Sequence, residues 1–130
     1  MNRIKWIVVV GMACAAQAAG AQQVEQLTAE FRACIAGTSS QVETSDCMKQ
    51  ELVRQDALVG AELKLAKDSA RPEIARRMDD AQAAWTTFRK QDCDTKAAAV
   101  VGTGATSERL ECMIHHAALR KLQLVNYWSL

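Results

Sequence analysis

Apolar positions along this chain recur at intervals of three and four residues, and nowhere alternate with period two for long. The clearest run is Ile74, Met78, Ala81, Trp85 and Phe88, spaced four, three, four, three. That spacing predicts an amphipathic helix presenting one narrow seam. Pro72 suits its first turn, where a missing amide hydrogen costs nothing. Before it, Met48, Leu52, Val59, Leu63 and Ala66 predict a second long helix. It begins near Ser45 or Asp46, either of which can cap the first turn, and is weakened at Gly60 by about 1 kcal/mol relative to alanine. A shorter helix is expected from Leu27 to Ile35, ended by Gly37-Thr38-Ser39-Ser40. A last helix starts near Thr106 or Ser107, beyond Gly102-Thr103-Gly104. It buries Leu110, Met113 or Ile114, Ala117, and Leu122 or Leu124, with Glu108 and Glu111 favourably placed against its positive end. The reading is an all-α bundle of about four helices. Cys47 to Asp68 and Pro72 to Cys93 are 22 residues each. At about 1.5 Å per residue they form matched arms of roughly 33 Å, a long antiparallel hairpin turning at Lys67–Arg71.

The first residues read differently. Arg3 and Lys5 precede the apolar run Trp6–Ala16, and two small-x-small sites follow, ending at Ala18 and Ala21. This is the pattern of a secretory signal peptide, too short to span a bilayer. Residues 1–21 are therefore read as the signal, cleaved after Ala21 with Ala18 as the second site, and residues 22–130 as one helical domain. Cys14 raises a lipoprotein alternative, but Gly11, Met12 and Ala13 fit poorly the box that precedes a lipidated cysteine. The chain has sixteen basic and fifteen acidic side chains, and two of the basic ones lie in the signal, leaving a net charge of −1. That balance offers no basic patch for nucleic acid or an anionic membrane, and no later apolar run is long enough to span one.

Export changes the meaning of the cysteines. Beyond Cys14 there are four, Cys34, Cys47, Cys93 and Cys112, an even number that reads as two disulfides in an oxidising compartment. Cys34 and Cys47 bracket one interhelical loop, Cys93 and Cys112 another, so local pairing is the simplest connectivity. An antiparallel hairpin would also bring Cys47 and Cys93 to the same end, which keeps Cys47–Cys93 with Cys34–Cys112 open.

Candidate chemistry is sparse. Cys112-x-x-His115-His116 contains good zinc ligands, but adjacent histidines on a helix point about 100° apart, and an oxidised Cys112 is lost as a ligand. Cys112 with His116 also lacks the free, low-pKa thiol that a nucleophile needs. The pairs Asp79-Asp80 and Asp92-Asp94 provide carboxylates, yet the first alternates with the apolar seam and the second flanks a disulfide. Gly102-Thr103-Gly104 lacks the lysine and strand of a phosphate-cradling loop. No catalytic residue, metal or cofactor is expected, and the chain is not read as an enzyme. Arg89 stacks over Trp85 or reaches toward a carboxylate on a neighbouring helix; the alternative to both is that it covers the edge of the seam.

Taken together, Ala81-Gln82-x-x-Trp85-x-x-Phe88-Arg89-x-x-x-Cys93 resembles the signature of the LprI-like family, exported bacterial domains with four cysteines. Upstream, Cys34 and Thr44-Ser45-Asp46-Cys47 match the family pattern; downstream, Gly102-x-Gly104, Cys112 and Arg120 do. The family's Leu-Asn-x-x-Tyr falls on Val59, Gly60 and Leu63, and a threonine after the last cysteine falls on Ala117, so the chain resembles a divergent member. The resemblance implies a helical, disulfide-stapled, periplasmic or secreted protein that binds a protein partner. Lysozyme inhibition is the activity attributed to the namesake. A cell-envelope scaffold or assembly factor unrelated to lysozyme is the alternative.

Overall fold

The computed structural model describes residues 26–128 as four helices: α1 (Ala29–Ala36), α2 (Gln41–Asp68), α3 (Pro72–Ala98) and α4 (Ala105–Trp128). The signal segment and Cys14 lie outside the described residues. Local chemistry explains each start. Thr28 caps α1 by accepting from the Phe31 amide at 3.1 Å. Ser40 and Glu43 cap α2 reciprocally, a Ser-x-x-Glu capping box. Hydrogen bonds from the Ser39 backbone and hydroxyl, helped by Ser40, hold the Glu43 carboxyl below its ordinary range. That box draws the start of α2 back from the expected Ser45 or Asp46 to Gln41. Pro72 occupies the first turn of α3, as its fixed φ favours. Gly102, at φ +92°, supplies the left-handed residue in the loop before α4.

The two long arms run antiparallel. Lys67 pairs with Asp79 beside the turn, and Asp56 with Arg89 further out. α4 turns back antiparallel to α3, joined by Lys96–Glu108, Asp94–Arg109 and Gln82–Arg120. It packs against α2 more extensively than the two arms pack against each other, so the last helix is the element that holds the hairpin closed. Val59 on α2 meets Ala117 and Leu124 of α4, with Leu63 at the edge.

The bridges are Cys34–Cys47, tying α1 to α2, and Cys93–Cys112, tying α3 to α4, with Cα–Cα distances of 5.8 and 5.5 Å. The second arrangement left open by the sequence, Cys47–Cys93 with Cys34–Cys112, is not formed.

The inner face of α2 departs from the expected stripe. Met48 and Leu52 are only half-buried, while the fully buried positions one turn apart are Cys47, Glu51, Gln55 and Val59. Glu51 is buried because residues 26–28 fold over it. It accepts from the Thr28 amide at 3.0 Å, the Thr28 hydroxyl, Arg54 Nε at 3.0 Å and Gln55 Nε2 at 2.8 Å. Gln55 Nε2 in turn donates to the Gln26 carbonyl at 2.9 Å. Burial pushes the Glu51 carboxyl up, but the bonds from Gln55, Thr28 and Arg54 outweigh it and leave the group below its ordinary value.

Candidate functional site

The motif residues of α3 do not all share one face. Phe88 is 55% exposed, whereas Arg89 is 4% exposed and Trp85 half-buried. The seam expected through Trp85 and Phe88 is therefore corrected: the buried line runs Met78, Arg89, Cys93 and Ala97. Helix rotation against the second disulfide explains it. Cys93 is pinned toward α4, Arg89 lies about 40° round from it, and Phe88 about 140°. The 4-3-4-3 spacing is shared by the true face and by a face rotated away from it, and side-chain chemistry alone favours the wrong one.

Arg89 does both things considered for it. Its Nη1 donates to Asp56 Oδ1 at 2.6 Å, and its guanidinium lies 5.1 Å from the Trp85 ring centroid. Arg120 of α4 approaches the same ring at 5.7 Å while its Nε donates to Gln82 Oε1 at 3.0 Å. Burial pulls the Arg120 guanidinium below its ordinary value. Gln82, Trp85, Arg89 and Arg120 thus form one cluster, an indole approached by two guanidinium groups that reach α2 and α4. The charge of Arg89 is turned inward, out of reach of a partner.

Two clefts lie among the described residues. The larger, about 440 Å³, lies between α1 and α4. Phe31 and Ile35, one turn apart on α1, face Met48, Ile114 and Ala118 across it, with Glu111, His115 and Thr44 among the polar lining groups. The first disulfide and the Glu51 network hold α1 in place to form this wall. No feature of the sequence pointed to it, because its two sides come from helices distant in the chain.

The smaller cleft, about 240 Å³, opens beside the second disulfide and includes Asp92, Lys96, Glu111, Cys112, His115 and His116. His116 Nε2 lies 2.8 Å from Asp92 Oδ2, and its ring meets Phe88 edge-on at 5.5 Å. The two histidines diverge, as adjacent helical positions must: both border this cleft, but only His116 shares a ligand group with Cys112, and only His115 reaches the apolar one. Of the remaining acidic candidates, Asp80 is exposed and the other two are ion-paired. Asp79 meets Lys67, and Asp94 meets Lys90 and Arg109.

No helix of the described residues is long and apolar enough to cross a membrane. A search of curated proteins finds no match, and neither does a search of solved structures. The family model described as "Lysozyme inhibitor LprI" matches residues 14–124.

Proposed function

Because the chain belongs to the LprI family, we propose that it is an exported, non-enzymatic domain that binds a protein partner, with lysozyme inhibition as its activity. The family match over residues 14–124 carries this reading. The apolar cleft between α1 and α4 supports it. Its volume suits the insertion of one or two apolar side chains, and the Glu111 carboxylate beside it favours a partner with basic groups at the rim. Near-neutral net charge gives little long-range steering toward a cationic enzyme. Affinity then has to come from contact at the cleft.

The test is hydrolysis of peptidoglycan by a c-type lysozyme in the presence of the purified protein. Slowed hydrolysis that is relieved by Phe31→Asp, with the circular dichroism spectrum unchanged, supports both activity and surface. No slowing at a large molar excess removes lysozyme as the target. Co-purification with a cell-envelope complex, without lysozyme, would then favour the scaffold or assembly reading.

A further inference from the structure

We infer that the second disulfide is the oxidised form of a zinc site made of Asp92, Cys93, Cys112 and His116. The ligand atoms of these four residues all lie within 4.8 Å of one another. Tetrahedral zinc, with bonds of about 2.0–2.3 Å, requires ligand atoms roughly 3.3–3.8 Å apart. Small side-chain adjustments therefore convert one arrangement to the other once the sulfurs are no longer bonded. The backbone already suits it. Cys112 and His116 are one turn apart on the same face of α4, and Cys93 faces them from α3 with a Cα–Cα distance of 5.5 Å to Cys112. Two thiolates, an imidazole and a carboxylate form a donor set that zinc accepts readily. In the disulfide form only Asp92 and His116 keep free donor atoms, and they bind each other at 2.8 Å. Oxidation therefore removes the site.

The exchange balances with a dithiol as reductant. One reductant thiolate attacks the sulfur of Cys112, the cysteine of the pair that lines the smaller cleft, and Cys93 leaves as the thiolate. The second reductant thiol resolves the mixed disulfide, so the reductant becomes a disulfide and the protein gains two electrons and two protons. Zinc then displaces the two thiol protons to solvent. The cleft that admits the reductant also admits the ion, and its lining carries a cation, Lys96, as well as a carboxylate, Glu111. The inference does not depend on what the protein binds through its apolar cleft.

The experiment is zinc titration of the purified full chain against a chromophoric chelator, before and after reduction by a phosphine, with cobalt(II) as the spectroscopic probe. The expected result is one equivalent bound only after reduction, with thiolate-to-cobalt charge transfer and the intense visible bands of a tetrahedral centre. A Cys34→Ser, Cys47→Ser double variant keeps that equivalent. His116→Ala weakens it by at least about tenfold; as His116 and Asp92 are surface-accessible, neither His116→Ala nor Asp92→Asn threatens the fold. Zinc also raises the melting temperature of the reduced wild type and not of His116→Ala. Any of three results overturns the inference: no stoichiometric uptake by the reduced wild type, undiminished affinity in both His116→Ala and Asp92→Asn, or a reduced chain that stays unfolded with zinc present.

Discussion

Within the Asp56–Arg89 pair, removing the exposed partner should cost more than removing the buried one. Arg89 is 4% exposed and Asp56 is 47% exposed along its side chain. Moreover, Nε and Nη2 of Arg89 have no hydrogen-bond partner among the described residues, so the guanidinium is held out of water with only part of its donor capacity satisfied. Arg89→Met keeps the stem that packs along α3, exchanges the stacked cation for a thioether that also suits an aromatic ring, and returns Asp56 to solvent. The lost charged hydrogen bond, about 1.5–3 kcal/mol, is offset by relief of a desolvation penalty of several kcal/mol, and the net change should fall within about 1 kcal/mol of zero. Asp56→Ala leaves the buried cation without its carboxylate. Breaking a fully buried pair costs about 3–5 kcal/mol; the exposure of Asp56 and the retained contact with Trp85 place the effect at the low end, about 3 kcal/mol. For a domain of this size that is a large share of a total of about 5–15 kcal/mol, and a fall in Tm of roughly 12 °C or more. Urea denaturation read by circular dichroism measures both variants, the comparison being valid when the slope m is unchanged. The reasoning is refuted if Arg89→Met costs as much as Asp56→Ala.

Three further outcomes are expected. Gly60→Ala should stabilise by about 1 kcal/mol, visible as a higher Tm, since an added Cβ at this exposed helical position meets nothing within 4 Å. Because the folded pKa of Glu51 lies below its ordinary value of 4.5, its contribution is fully present above that pH and is lost as pH falls toward the folded value; thermal melts between pH 6 and pH 3 should show a steeper acid-side loss in wild type than in Glu51→Gln. Replacing Cys34 and Cys47 together by serine should cost about 3 kcal/mol in denaturant unfolding, and hydrogen exchange should rise first in α1, which that bridge and the Thr28–Glu51 bonds hold.

How far the sequence foretold this depends on the kind of signal each element carried. The hairpin turn before Pro72, the loop at residues 37–40 and the all-helical class were legible because they rest on local backbone preferences. Local pairing of the cysteines was the simpler of the two connectivities that the sequence left open, and it is the one formed. The face of α3 was not legible. Periodicity locates a stripe only to within the drift between 3.5 and 3.6 residues per turn, and here a buried arginine takes the place that an aromatic ring was expected to fill. Glu51 and Gln55 were missed for a related reason: their burial depends on residues 26–28, whose docking no pattern on α2 announces. The capping box at Ser40 and Glu43 was visible in the sequence, and would have placed the start of α2 correctly. Where the chain departs from the family pattern, the structure supplies a physical reading. At Val59, Leu63 and Ala117, read above as departures from that pattern, the side chains form one apolar cluster with Leu124.

The order of the bridges along the chain bears on how the molecule is made. Each joins a cysteine to the next one in sequence, across separations of 13 and 19 residues. A chain threading through a pore from its N-terminus presents Cys34 and Cys47 together before Cys93 emerges. An oxidase that joined these four thiols in order of emergence would make only native pairs, so the yield of folded protein should not depend on an isomerase.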